Sequence, residues 1–313
     1  MGGLRPAELV LGTVQLGIPY GIANGTGKPS RALAVALIRR AVETGITSFD
    51  TARAYGDSEE CLGEALAHDS EIRIITKLSP LNELPADAPL ALARQRVDAS
   101  LEASWRALRR ERIDCVLLHR ARHLEEYGGA VWERLLEHRS NGRIGQLGVS
   151  VQSPAETRAA LLYPDIRHIQ LPFHLLDWRW QEAGIPDLFR ARSDVTVHAR
   201  SVFLQGLLAA NAAGLWPRLP GVDPAQLSGA VAALSSDLAR ASPADLALAY
   251  ARGQDWLDGI VIGMETRAQL DDNLKLFANP PLALAACAKI VSRVPRVPVA
   301  LLDPSRWHEK ACA

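Results

Sequence analysis

Eight short apolar runs, separated by longer Ala/Leu/Arg-rich segments, recur along most of the chain, and this alternation constrains the fold more than any other feature. The runs cover 9–14, 47–50, 72–76, 113–118, 146–149, 168–171, 195–199 and 259–262. Helices are expected near 30–44, 58–67, 90–109, 128–141, 154–162, 180–191, 243–253 and 266–277. Several have start signals. Ser30 precedes an Ala/Leu/Ile stripe, while Ser153-Pro154 and Ser242-Pro243 read as an N-cap followed by the first helical residue.

Strands alternating with helices at this spacing imply parallel pairing and right-handed crossovers. A (β/α)8 TIM barrel is therefore expected, as one domain over residues 1–313 with long loops at its carboxyl-end mouth. The other candidate, an open doubly wound sheet, ordinarily has a glycine-rich turn after its first strand. Here Gly12-Thr13-Val14-Gln15-Leu16-Gly17 lacks the third glycine and the following helix. Two segments exceed ordinary loop length: 204–224, leading into an extra helix near 225–240, and a proline-rich tail after Asn279.

With 48% hydrophobic and 22% charged residues, the chain can fill a large core. Lys plus Arg (35) balances Asp plus Glu (35), which gives no electrostatic reason to expect nucleic acid or an anionic membrane as partner. No apolar stretch reaches membrane-span length, and the amino terminus has no secretory pattern. Cys61, Cys115, Cys287 and Cys312 follow no metal-ligand spacing, so no metal is expected. Cys115 reads as an apolar filler and Cys312 as a free thiol, consistent with a cytoplasmic protein.

Four polar residues close apolar runs or follow them directly: Asp50, Tyr55, Lys77 and His119. In a parallel barrel the strand carboxyl ends converge on one mouth, where catalytic groups gather. A free phenol, with a pKa near ~10, is protonated at neutral pH but is a sluggish acid. An ammonium beside it stabilises the phenolate and improves proton donation. Lys77 is placed to supply that charge, with Asp50 holding the amine. His119 is placed to bond a carbonyl oxygen or relay a proton. Singly, each has a structural reading as a surface aromatic, a solvated cation or a core imidazole. Together they read as a proton-delivery unit.

Phe49-Asp50-Thr51-Ala52, Tyr55-Gly56, Ser58-Glu59, Leu62-Gly63, Ile75-Thr76-Lys77, Leu117-Leu118-His119-Arg120 and Ile144-Gly145-Gln146-Leu147-Gly148-Val149-Ser150 resemble the signature of the aldo-keto reductases. The resemblance runs from about Leu9 to Phe277 with the motifs in the family's order. It implies a barrel that uses a nicotinamide cofactor without metal. Tyr55 would be the general acid, Lys77 and Asp50 its activators, and His119 the substrate-orienting partner. Thr13-Val14-Gln15-Leu16-Gly17, Tyr20-Gly21-Ile22-Ala23 and the segment from Ala199 to Leu208 resemble a bacterial branch often found near surface-sugar genes.

The resemblance also implies a cofactor site. Gly12 and Thr13 would border it, and Ser150 and Gln170 match the positions that hold the carboxamide. Val151 replaces the usual Asn, so one bond is lost or supplied elsewhere. Arg200 stands where an aromatic ring commonly stacks on the nicotinamide, and its charge favours the reduced ring, hence reduction. The stretch containing Ser201, Val202, Leu204, Gln205 and Gly206 matches the pyrophosphate loop. Gly263, Arg267, Gln269 and Asn273 match the adenosine end, with Glu265 nearby. NADPH is expected, and NADH is admitted.

Trp178, Trp180 and Trp216 read equally as a substrate rim or as helix packing, and His174 as a residue able to face the pocket. His68, His123, His138, His168, His198 and His308 show no ligand spacing, and the basic stretch from Arg106 to Arg112 reads as a helix carboxyl end. The expected function is NADPH-dependent reduction of an aldehyde or ketone, with a sugar-like substrate admitted, as a monomer by default. The competing readings are a sugar or alcohol dehydrogenase and a cofactor-sensing regulatory subunit.

Overall fold

Strand β1 (Glu8–Gly12) is parallel to β2 (Ser48–Asp50), and β3 (Arg73–Lys77), β4 (Ile113–Leu118), β5 (Ile144–Ser150), β6 (Ile166–Pro172), β7 (Thr196–Arg200) and β8 (Gly259–Gly263) follow in order. β8 returns to pair with β1, closing the barrel. This is a (β/α)8 barrel, as the alternating pattern implies. The computed structural model describes residues 7–307. Cys312 and His308 lie outside the described residues. None of the described helices is long and apolar enough to cross a membrane.

The register aligns the strand ends that carry the polar residues. Gly12 pairs with Asp50 and Gly263, Lys77 with Leu117, Ser150 with Gln170, and Pro172 with Arg200. One end of the barrel thus collects residues that are distant in sequence.

Local chemistry sets the helix boundaries. Ser30, Ser153 and Ser242 each accept an amide hydrogen bond at a helix start. The helix Leu90–Leu108 ends at Arg109, in the left-handed conformation, with Arg106 in its last turn. Three boundaries differ from the sequence expectation. β1 stops at Gly12 because Val14–Gly17 forms a helical turn. The helix expected over 180–191 is two helices, Arg179–Glu182 and Ile185–Ala191, divided at Gly184. The extra helix is Pro224–Asp237, capped by Asp223, and the tail contains the helices Leu284–Arg293 and Val299–Leu302.

Two glycines hold the Tyr55 loop in place. A Cβ on Gly17 would lie 1.7 Å from the Tyr55 carbonyl oxygen, and one on Gly56 would lie 2.3 Å from the Gly17 carbonyl oxygen. Gly56 also has φ of +56°, a conformation that penalises other residues. The turn after β1 and the loop after β2 therefore touch backbone to backbone.

The tryptophans pack rather than line the cleft. Trp178 donates to Val297 O, Trp180 to Asp177 Oδ2 and Trp216 to Ser228 Oγ. His174 is fully buried and accepts the Leu176 amide through Nδ1, so it does not face the pocket. Cys115 is buried in the barrel interior, as a filler should be. His168 and His198 meet edge to face in that interior, ring centroids 4.3 Å apart.

Two outcomes follow from this packing. Gly17→Ala should destabilise the fold by about 2 kcal/mol or more, because backbone atoms must move to admit the methyl group. Chemical denaturation of both proteins measures the difference. Acid should also destabilise the fold. Burial pushes the imidazoles of His123 and His174 down to about 4, and that of His168 below its usual range. The unfolded chain takes up protons at these sites below about pH 6.5, and the folded chain refuses them. Stability is then full above that pH and falls as pH drops towards 4, by at most about 1.4 kcal/mol per pH unit for each histidine. Denaturant midpoints measured between pH 7.5 and 4.5 should decrease monotonically. Replacing His174 with Asn or Gln should flatten that decrease.

Candidate active site

Asp50 and Lys77, at the ends of β2 and β3, form an ion pair that is almost completely buried. Lys77 Nζ lies 2.7 and 2.8 Å from the two Asp50 carboxylate oxygens and donates to Thr51 O at 3.0 Å. Burial alone would lower the lysine pKa. The Asp50 charge and hydrogen bonds, with Tyr55 adding to them, outweigh that and raise it above the ordinary range. The amine is therefore protonated at neutral pH. Asp50 Oδ2 also accepts Gln170 Nε2 at 2.7 Å, which ties β6 to the pair.

The backbone under Asp50 is fixed by hydroxyls. Asp50 O accepts both the amide and the hydroxyl of Thr13, each at 2.9 Å. Ser58 Oγ lies 2.6 Å from Thr13 Oγ1 and 3.0 Å from Thr51 Oγ1. Glu59, fully buried, binds Arg53, Thr76 and Ser104. The loop containing Tyr55 is thus anchored on both sides.

Tyr55 is half-buried, and Lys77 Nζ lies 5.1 Å from its ring centroid. All three ammonium protons are directed to Asp50 and Thr51, so the amine acts on the phenol through its field. The His119 ring stands perpendicular to that of Tyr55, centroids 6.0 Å apart. Burial, followed by the positive charges of Lys77, Arg200 and Arg120, pushes His119 down to about 3. It is a neutral imidazole at neutral pH, and its buried Nδ1 has no partner among the described residues. All four residues meet at the barrel mouth.

A cleft of about 650 Å³ opens above them. Asp50, Tyr55 and His119 line it, and Lys77 lies beneath its floor. Of the residues that sequence resemblance assigns to cofactor, Gly12, Thr13, Ser150, Arg200, Ser201, Val202, Gln205, Gly206, Gly263, Gln269 and Asn273 line it as well. Three do not. Gln170 is fully buried and turned to Asp50, with Oε1 unpartnered. Leu204 is buried in the core. The Arg267 side chain is 71% exposed and pairs with Asp271 at 3.9 Å. The helix start at Thr266 points its first side chain outward, which separates Arg267 from the cleft.

The loop after β7 has the shape of an anion cradle. Ser201, Leu204, Gln205 and Gly206 all have positive φ, and the amides of Val202, Phe203 and Gln205 have no acceptor among the described residues. Arg200 leaves the end of β7 to reach Ser201 Oγ and Val151 O, each at 3.4 Å. Gln269 is half of a capping box with Thr266, its Oε1 accepting from the amides of Glu265 and Thr266. Sequence reasoning gave no binding role to several lining residues, among them Gln15, Tyr20, Asn24, Arg120 and Ser305. Gln15 and Tyr20 lie in motifs visible after the first strand. Ser305 carried no signal, since only the tail's path brings it to the mouth.

Comparison with known proteins gives the chain its family. Residues 8–292 match the aldo/keto reductase family. An uncharacterized oxidoreductase of Mycobacterium tuberculosis is 32% identical over 211 residues, 64% of this chain and 60% of that relative's length. An NADPH-dependent codeinone reductase of Papaver somniferum is 35% identical over 120 residues, 37% of this chain and 33% of that protein. The chain thus spans less than two thirds of these relatives. Among solved structures, the holo form of an aldo-keto reductase from Bacillus halodurans superposes with a TM-score of 0.74 at 22% identity, covering 93% of both chains. A glycerol dehydrogenase from Gluconobacter oxydans gives 0.71 at 22% identity, covering 96% of this chain and 94% of that one. On a match that spans nine-tenths of its length, this chain belongs to the aldo/keto reductase family.

Proposed function

We propose that the protein reduces the carbonyl group of a small aldehyde or ketone, with Tyr55 donating the proton and a reduced nicotinamide dinucleotide as cofactor. The observation that carries this reading is the position of Tyr55. It lies beside a charged, buried Lys77–Asp50 pair and faces a neutral His119, all at the wall of one cleft.

The cofactor fits on observations of the cleft. Unpartnered buried polar atoms (His119 Nδ1 and Gln15 Oε1) call for a ligand, and the free amides of the β7 loop suit a pyrophosphate. Ser150 would hold the carboxamide, Arg200 would lie against the ring, and Gln269 and Asn273 would face the adenosine. Bound there, the reduced nicotinamide supplies hydride to carbon.

The protein's own residues do the rest. As negative charge develops on the carbonyl oxygen, Tyr55 gives up its proton and Lys77 stabilises the phenolate left behind. Asp50 keeps the amine aimed, and His119 bonds the oxygen as a neutral donor. The positive charge of Arg200 disfavours the oxidised, cationic ring, which supports reduction over the dehydrogenase direction.

NADPH is the proposed dinucleotide, in keeping with the name of the Papaver relative. Its preference over NADH should be slight, because Glu265 lines the cleft and Arg267 points away from it.

Tyr55→Phe should lower kcat by about a hundredfold or more, since positioned proton transfer contributes on that scale, while retaining cofactor affinity. Steady-state turnover with an aldehyde panel, alongside fluorescence titration of NADPH, tests both parts. Turnover that Tyr55→Phe leaves intact would remove Tyr55 as the proton donor, and cofactor binding without turnover by the unsubstituted protein would support the sensor reading instead. Glu265→Gln should raise kcat/KM with NADPH relative to NADH by about three- to tenfold, because one like charge near the 2′-phosphate is removed. An unchanged ratio would place the 2′-phosphate elsewhere.

A further inference from the structure

A second lobe of about 310 Å³ shares His119, Arg120 and Ser150 with the main cleft and is also walled by Asn82, Arg122 and Glu156. Arg120 lines both lobes, and its guanidinium has no carboxylate partner among the described residues. Other charges nearby are already engaged. Arg122 pairs with Glu126 at 3.3 Å, and Glu156 Oε2 accepts the Gln152 amide at 2.6 Å. Asp50 is held by Lys77 and Gln170, and Arg200 reaches Ser201 and Val151. Glu265 belongs to the turn after β8, where the proposed adenosine site lies.

Glu156 keeps its charge, since a backbone amide is a neutral donor, but Arg120 and Arg200 outnumber it. The region around His119 therefore has a net positive charge, with one guanidinium fork unclaimed. Burial lowers the His119 imidazole most, and the charges of Lys77, Arg200 and Arg120 lower it further.

We infer that the substrate's carbonyl group is accompanied by an anionic group, carboxylate or phosphate, which Arg120 binds in this second lobe. The inference rests on the reductase reading and specifies its substrate class. Because His119 and Arg120 line both cleft and lobe, a molecule with its carbonyl between Tyr55 and His119 has Arg120 beside it. A guanidinium pairs with either anion through two parallel hydrogen bonds, and Asn82 adds an amide donor. The anion takes no part in bond making. Carbon gains hydride from the reduced nicotinamide, which is oxidised, and oxygen gains the Tyr55 proton.

Two matched pairs of aldehydes test this with the full chain and NADPH or NADH. Succinic semialdehyde against butanal probes a carboxylate, and glyceraldehyde 3-phosphate against glyceraldehyde probes a phosphate. In at least one pair the charged member should have the higher kcat/KM, by about tenfold or more and mainly through KM, as charge-assisted bonds supply. The pair with the larger ratio identifies which anion is used. Arg120→Gln should collapse that ratio to within about threefold of unity, and Arg120→Lys should retain part of it, because the charge survives without the fork. Arg120 is exposed, so both variants should fold, and circular dichroism with thermal melting confirms that they have. Reduction of neutral aldehydes without preference for either charged partner, or a preference that persists in Arg120→Gln, overturns the anionic-substrate inference and leaves the reductase reading standing. Reduction of none of the four overturns both.

Discussion

A lysine and an aspartate buried side by side at the mouth of the barrel set the terms for everything above them. Removing two charges from water is costly, and mutual attraction offsets the cost only when the remaining bonding capacity is satisfied. Here it is: Asp50 takes both carboxylate bonds from Lys77 and one from Gln170, and Lys77 places its last proton on Thr51 O. The pair therefore joins the ends of β2, β3 and β6. Loss of either partner would leave the other charge buried alone. The arrangement constrains the fold and the field in one stroke.

The field depends on the wall around it. Tyr55 reaches the ammonium without a direct hydrogen bond, so its chemistry depends on how firmly its loop is held. That firmness comes from groups outside the proposed proton transfer: Gly17 and Gly56 in backbone contact, Ser58 on Thr13, and Glu59 on Thr76 and Ser104. The cleft also changes character along its length. Around His119 it is positive, in the β7 loop it offers backbone donors, and at the β8 turn it meets Glu265. A long, unevenly charged ligand suits such a gradient better than a compact one does.

Much of this was legible in the residues. Period and spacing identified the strands because parallel barrel strands, buried on both faces, are continuous apolar runs. Asp50, Tyr55, Lys77 and His119 stood out because strand ends are fixed positions in such a fold. Boundaries were less legible. β1 stops two residues short of the expected end because Thr13 turns its amide to Asp50 O, a contact with another strand. Gln170 and Arg267 match cofactor positions in sequence, yet one is turned to Asp50 and the other to solvent. Trp178, Trp180 and Trp216 were ambiguous because an amphipathic side chain suits a rim and a packed helix equally.

The sequence by itself determined the class of fold, the parallel order of the strands and the identity of the four polar groups at their ends. These depend on periodicity and on residue type, which are local properties. Only the tertiary structure decided which groups share charge, which amides remain free and which arginine at the cleft has no side-chain partner among the described residues. Those outcomes depend on distances between elements up to 120 residues apart, as for Gln170 and Asp50. The side-chain alphabet specifies what a residue can bond. The closed barrel specifies what is near enough to be bonded.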